Sequence, residues 1–182
     1  IFGAKHKDTL AVVNNLGTLY QLQGKLEEAE TLYLRALEGH KELYGPEHAE
    51  TFVSVSNLAM LFNAQGRLKE AEPLFRRSLE GRKAILGANH PHTLISMGNL
   101  ASLFEAQGKL SEAEPLYVHC LAVQEKLLGA HHPSTLGSVN NLAGLLKDQG
   151  RMDEAEPLFR HALAGTMITF GRNHPRTLTT YN

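Results

Sequence analysis

The sequence repeats itself with a period of 42 residues, and this periodicity constrains its fold more than any other feature. A shift of 42 positions aligns five histidines and four glycines: His6, His48, His90, His132 and His174, and Gly24, Gly66, Gly108 and Gly150. A fixed period of this size is typical of solenoids, in which similar units stack in a row. One unit cannot bury its own apolar side, so we expect each unit to be stabilised mainly by its neighbours.

The period divides the chain into four full repeats and the start of a fifth. Repeats 1 to 4 span about residues 6–47, 48–89, 90–131 and 132–173, and the fifth begins at 174–182. Because stacked repeats form one continuous body, we predict a single solenoid domain over residues 1–182. The chain begins in the middle of a repeat and without an initiating methionine. We therefore expect it to be a piece of a longer cytoplasmic protein.

Each repeat is predicted to contain two helices joined by a glycine turn. In repeat 2 the first helix is expected from about Thr51 to Gln65, where apolar residues recur at helical spacings. Gly66 follows, at a point where helix ends often need the left-handed backbone conformation. The second helix is expected to begin near Leu68. The predicted fold class is all-α, an α-α superhelix of about four helix-turn-helix repeats with partial terminal repeats.

A histidine opens each repeat, in the motifs HKDT, HAET, HPHT, HPST and HPRT. Proline in the second position suits the first turn of a helix, where its missing N–H costs nothing. Metal ligands must converge within a few ångströms of one ion, whereas stacked repeats would hold these histidines about one repeat apart. We therefore interpret them as caps or loop-packing residues, and expect neither a metal site nor a cofactor.

The second helices share a register of small residues, which predicts close helix packing: Ala36, Ser78, Cys120 and Ala162. Cys120 is thereby interpreted as a packing residue and not as a nucleophile. Prolines in three second helices predict a mild bend or an irregular first turn: Pro73, Pro115 and Pro157.

Two sets of glycines leave alternatives open. Gly39, Gly81 and Gly165 replace a bulky apolar residue on second helices, which indicates either unusually close packing or a soft helix end. Gly98, Gly137 and Gly144 lie on first helices, where they indicate either close approach by a ligand or local looseness.

Composition and motifs argue against several functional classes. A formal net charge of −1 offers no general attraction for nucleic acid. No apolar run approaches the roughly 20 residues of a membrane-spanning helix, so we expect no membrane partner. The sequence contains no GxxxxGK[ST] phosphate loop, no HExxH and no nucleophile elbow. We expect a non-catalytic protein.

The residues of each repeat resemble the tetratricopeptide repeat (TPR) family. The pattern of small, aromatic and glycine positions is carried in repeat 1 by Leu16, Gly17, Tyr20, Gly24, Ala29, Tyr33 and Ala36. The usual repeat has 34 residues. The 42-residue form here is similar to the repeats of kinesin light chain. The resemblance implies a right-handed superhelix whose first helices line a concave groove that binds peptides or partner proteins.

The resemblance also implies which residues line that groove. Matched by register, they are Asn14, Thr18, Gln21, Ser56, Met60, Asn63, Ser102, Glu105, Asn140 and Lys147, with Gly98 and Gly144 at the same register. A neighbouring asparagine recurs in all four repeats: Asn15, Asn57, Asn99 and Asn141. We interpret this second set as structural, bonding between helices, with ligand contact as the alternative.

The leading hypothesis is a protein-interaction scaffold that binds a peptide or partner protein in the groove. The alternatives are a structural spacer that self-associates through its truncated ends, where Ile1, Phe2, Leu178 and Tyr181 are apolar, or the regulatory arm of a larger signalling protein.

Overall fold

In a computed structural model, residues 6–171 are described, and within this range the chain is all-α. Eight helices follow one another there: α1 Lys7–Leu22, α2 Leu26–Tyr44, α3 Ala49–Ala64, α4 Leu68–Leu86, α5 Pro91–Ala106, α6 Leu110–Leu128, α7 Pro133–Asp148 and α8 Met152–Phe170. The predicted fold class of paired helices is confirmed. Repeat 5 and the apolar residues named at the two ends lie outside the described residues.

The chain forms two compact units, whose boundary in the sequence falls between Leu103 and Phe104, near the end of α5. In the first, α2 packs against both α1 and α3, and α3 packs against α4. In the second, α7 packs against both α6 and α8. A second helix therefore contacts the first helix of its own repeat and the first helix of the next. No helix of the described range has the length and apolar character that a membrane crossing would require.

In the described residues, a histidine caps the N-terminus of each first helix. The Nδ1 atom of His48 accepts a hydrogen bond from the backbone N–H of Glu50 at 3.2 Å. The same bond is made by His6, His90 and His132, at 3.3, 3.2 and 3.1 Å. Each bond satisfies one of the free N–H groups of a helix N-terminus. The interpretation of these four histidines as caps is confirmed, and α3 begins at Ala49, two residues before the predicted start.

The turn between the helices of a repeat depends on glycine. Gly66 has φ +73°, and Gly24, Gly108 and Gly150 have φ between +73° and +77°. This left-handed conformation is strained for residues with a side chain. The N–H of the next residue, Arg67, then bonds back to the carbonyl of Phe62 at 2.8 Å. The turn ends α3 and starts α4 within three residues.

The prolines of the second helices lie inside continuous helices. In the first turn of α4, the N–H groups of both Glu70 and Ala71 donate to the carbonyl of Arg67, each at 3.1 Å. The first of these is a bond of the 3₁₀ type, which tightens a helix end. The corresponding bonds are present at the start of α6 and α8.

Close packing explains the glycines of the second helices. A Cβ atom on Gly81 would lie 1.9 Å from the ring of Phe52, and one on Gly39 or Gly165 would lie 2.4 or 2.3 Å from Leu10 or Leu136. The alternative of a soft helix end is therefore not needed at these positions. The shared register of small residues is likewise in the core, with Ala36, Ser78, Cys120 and Ala162 at most 2% exposed.

Candidate protein-binding face

One side of each first helix is left uncovered by the packing of the second helices. It consists of residues spaced by four and then three along the helix, and each of them is exposed or half-buried. We call it the first-helix stripe: Ala11, Asn15 and Thr18 on α1, Val53, Asn57 and Met60 on α3, Ile95, Asn99 and Ser102 on α5, and Gly137, Asn141 and Gly144 on α7. The first nine belong to the first compact unit and the last three to the second.

An asparagine lies in the middle of each segment of this stripe. Asn15 and Asn141 are exposed, whereas Asn57 and Asn99 are half-buried. Within residues 6–171, none of the four side-chain amides forms a hydrogen bond. An amide offers two N–H donors and one carbonyl acceptor. The bonds between helices expected of this set are absent from the described range, and the amides face outward with their bonding capacity free.

Asn14, next to Asn15 in the sequence, makes the kind of bond between helices that was expected of Asn15. It is 7% exposed, and its side-chain N–H donates to Ser54 Oγ of the next repeat at 3.2 Å. Ser54 Oγ also bonds to Nδ1 of His40 at 2.8 Å. Burial lowers the pKa of His40, because the charged imidazolium would lose its hydration. This cluster ties repeats 1 and 2 together.

Ser56, the corresponding groove residue of repeat 2, is also buried. It is 4% exposed and bonds to Ser78 Oγ at 2.7 Å. Ser78 in turn lies 3.3 Å from Ser96 Oγ, which accepts from the buried guanidinium of Arg82 at 2.8 Å. Asn14 and Ser56 thus lie beneath the surface, whereas Thr18, Met60, Ser102 and Lys147 are exposed and Asn140 is half-buried.

Tyrosines of the second helices hold the edge of the stripe in repeats 1 and 3. The hydroxyl of Tyr33 lies 3.0 Å from Thr18 Oγ1 and donates to Gln21 Oε1 at 3.1 Å. In the second compact unit, the hydroxyl of Tyr117 donates to Glu105 Oε2 at 2.9 Å. Burial raises the pKa of the Glu105 carboxyl, and the hydrogen bond from Tyr117 offsets part of this increase.

Repeats 2 and 4 have phenylalanine in place of these tyrosines. Phe75 cannot donate a hydrogen bond, and Asn63 Oδ1 is buried without a partner in the described residues. In repeat 4, Phe159 lines a cavity of about 400 Å³ together with the exposed Lys147. The last groove residue of each repeat is therefore bonded to a tyrosine in repeats 1 and 3, at Gln21 and Glu105, whereas Asn63 and Lys147 have a phenylalanine in place of that tyrosine.

The structure also shows the surroundings of the cysteine and of the glycines on the first helices. Burial raises the pKa of Cys120 to about 11, which keeps this buried thiol protonated at neutral pH. Within the described residues, no three metal-ligating side chains lie together. A Cβ atom added to Gly98, Gly137 or Gly144 would meet no neighbour within 4 Å, so the space next to the stripe is open at these points.

The sequence matches the family model of the tetratricopeptide repeat in four overlapping segments, at residues 8–84, 52–126, 105–164 and 134–182. The chain belongs to the tetratricopeptide repeat family. The helix pairs described above are its repeats, and the resemblance stated from the residues is confirmed. No protein with a curated description matches the sequence.

Solved structures with kinesin light chain-like repeats are similar to this TPR chain. A candidate kinesin light chain of Podosopora anserina, with nearly identical TPR-like repeats, is 28% identical over 99% of this chain and 84% of its own, with a TM-score of 0.82. BtubC (BKLC) from P. vanneervenii is 25% identical over 96% of this chain and 69% of its own, with a TM-score of 0.81. Aspartyl phosphate phosphatase F from Bacillus subtilis, 14% identical over 93% of this chain and 42% of its own (TM-score 0.77), shares the fold.

Proposed function

We propose that this chain is a non-catalytic scaffold that binds an extended peptide segment of a partner protein along the part of the first-helix stripe that lies within one compact unit. The observation that carries the proposal is the set of outward-facing asparagines, Asn15, Asn57, Asn99 and Asn141, whose amides make no bond within the described residues.

The spacing of the asparagines suits an extended backbone. Packed helices lie about 8–10 Å apart, and an extended chain rises about 3.3 Å per residue. Within the first compact unit, one asparagine per repeat would therefore meet a bound peptide about every two to three residues. An amide can donate to a peptide carbonyl and accept from a peptide N–H, so both bonding groups of a peptide unit are satisfied.

The rest of the stripe accommodates varied side chains. Thr18 and Ser102 are small and polar, and Gly144 leaves open space. Met60, 37% exposed, has a flexible thioether side chain that adapts to different apolar groups. The face therefore favours recognition of the peptide backbone, with weak selection among side chains. Lys147, beside the stripe in repeat 4, adds a positive charge that favours an acidic residue in a peptide bound to the second compact unit.

The proposal is tested with peptides selected from a displayed random library on the intact chain. The double substitution Asn57→Ala/Asn99→Ala removes two amides from the first compact unit. Loss of two hydrogen bonds at about 0.5–1.5 kcal/mol each predicts weaker binding by roughly 5-fold to 150-fold. Isothermal titration calorimetry measures this change.

The control, Glu38→Ala/Lys41→Ala, removes an exposed ion pair from α2, away from the stripe, and should leave affinity unchanged. Equal affinity of the Asn57→Ala/Asn99→Ala variant and the wild type, with folding intact, would refute the proposal. The double substitution Asn140→Ala/Lys147→Ala tests the second compact unit in the same way.

A further inference from the structure

Arg82 of α4 is a buried cation that does not belong to the first-helix stripe. It is 6% exposed, although arginine is almost never fully buried unless it is paired. Its Nη1 atom donates to Ser96 Oγ at 2.8 Å and to the carbonyl of His92 at 3.2 Å, both on α5. These residues all belong to the first compact unit. The two bonds hold the guanidinium at the junction between repeats 2 and 3.

The charge of Arg82 is only partly compensated. No carboxylate of residues 6–171 forms an ion pair with it. Glu50, in the first turn of α3, acts on Arg82 from beyond ion-pair distance and is exposed. Burial lowers the pKa of Arg82, and the attraction to Glu50 offsets part of this decrease. Because a guanidinium remains protonated in proteins, the junction contains a buried positive charge without a direct counter-ion.

The junction between repeats does not need a positive charge at this position. The other repeats have His40, Gln124 and Thr166 at the same register. In repeat 1, Nδ1 of His40 bonds at 2.8 Å to the hydroxyl of Ser54, which corresponds to Ser96. A histidine whose pKa is lowered by burial thus makes the same contact with the following first helix. The charge and the additional donors of Arg82 therefore have no counterpart in the packing of repeat 1.

One edge of the Arg82 guanidinium is free to bind. Nη1 carries two hydrogens and has two acceptors, whereas Nε carries one hydrogen and Nη2 carries two. Within residues 6–171, Nε and Nη2 have no acceptor. Neither nitrogen is among the polar atoms of this range that are sealed from solvent without a partner, so the Nε–Nη2 edge reaches solvent. Arg82 therefore presents two neighbouring N–H donors at a narrow opening in the surface.

We propose that the Nε–Nη2 edge of Arg82 binds the carboxylate of a small organic acid, with one oxygen accepting from Nε–H and the other from Nη2–H. The planar guanidinium matches a carboxylate in this arrangement of two parallel bonds. A small acid suits the opening, because so little of the residue is exposed. Glu50 adds a negative charge nearby, which favours a singly charged carboxylate over a doubly charged phosphate. This site does not depend on peptide binding to the first-helix stripe.

NMR of the arginine side chains tests the proposal on the intact chain. The Nε–H signal of Arg82, assigned through its bonds to the backbone, is followed while sodium acetate replaces sodium chloride at constant ionic strength. We expect this signal to shift and to saturate in the millimolar range. Arg35 is the matched control, because it is exposed and also makes no ion pair within the described residues, and its signal should not saturate. No saturating shift at Arg82, or the same shift at Arg35, would overturn the proposal.

The substitution Arg82→Gln tests the site through stability. It copies Gln124 at the same register and keeps a side chain that can bond to Ser96, so we expect the variant to fold. A ligand that binds the folded chain stabilises it, so acetate should raise the urea midpoint of the wild type above its value in chloride. This gain should disappear in Arg82→Gln and persist in Arg35→Gln. A gain that persists in Arg82→Gln would contradict the proposal, and the titration of the wild type stands independently of this variant.

Glu50 and phosphate test the choice of a carboxylate. Glu50→Gln removes the neighbouring negative charge and should tighten acetate binding about twofold or more. At mildly alkaline pH, phosphate should bind the wild type at least about twofold more weakly than acetate. Unchanged or weaker acetate binding in Glu50→Gln would contradict an anion bound beside Glu50. Tighter binding of phosphate than of acetate would overturn the assignment of the site to a carboxylate.

Discussion

The substitution Gly81→Ala tests how closely α4 packs on α3. The added Cβ atom would lie 1.9, 2.3 and 2.4 Å from three ring carbons of Phe52, which is fully buried. Ordinary contact needs about 3.5–4.0 Å between carbons, so the ring or the helix must shift by more than one ångström. Overpacking of this kind costs about 1–3 kcal/mol, and alanine returns roughly 1 kcal/mol of helix propensity. Because three atoms clash, we expect a net loss of about 2 kcal/mol.

The matched control is Gly98→Ala, on the first helix α5. A Cβ atom there would have no neighbour within 4 Å, so the gain in helix propensity of about 1 kcal/mol should appear almost in full. Urea unfolding followed by circular dichroism should give a lower midpoint for Gly81→Ala and a higher one for Gly98→Ala than for the wild type. A Gly81→Ala variant that is as stable as the wild type would refute the packing argument.

Two buried side chains, His40 and Cys120, give separate tests. Burial lowers the pKa of His40 in the folded chain. Below about pH 6.5, the ordinary pKa of histidine, the unfolded chain therefore binds more protons at this residue than the folded chain does. The contribution of His40 to stability should therefore be fully present above that pH and be lost as the pH falls through the folded-state pKa. The substitution His40→Gln copies Gln124 at the same register and should reduce this loss. Urea unfolding midpoints measured at several pH values test the difference. A wild-type midpoint that falls no more steeply than that of the variant would contradict this explanation. Burial raises the pKa of the Cys120 thiol to about 11, so this thiol should react with iodoacetamide in urea but not in the native chain. Mass spectrometry follows the reaction. Prompt labelling of the native chain would show that the core around this thiol is open to solvent.

The helices and turns could be predicted from residues within one repeat. Apolar spacing locates the first and second helices, and Gly66 marks the turn, because both signals are local. The start of α3 lies two residues before the predicted one because apolar spacing shows where a helix has a buried face, whereas the helix itself begins directly after its cap, His48.

The details of the candidate site depend on contacts with residues of another helix, in the same repeat or in the next, and could not be predicted in the same way. Asn14 is drawn into the interior by Ser54, 40 positions away, and Asn15 is left facing outward. The clash at Gly81 depends on Phe52, and the bonding of Gln21 on Tyr33. A register taken from a family names candidate positions on the first helices, but the partner across the packing contact decides which of two adjacent side chains is buried.

The most direct test of the account is whether a bound peptide contacts the asparagines of the first-helix stripe. Selective ¹⁵N labelling of asparagine allows the side-chain amide signals of Asn15, Asn57, Asn99 and Asn141 to be followed by NMR during titration with a selected peptide. We expect the signals of Asn15, Asn57 and Asn99, in the first compact unit, to shift together and saturate with the affinity measured by calorimetry, while that of the buried Asn14 moves little. Unchanged stripe signals at saturating peptide, with shifts confined to residues of the second helices, would contradict the account.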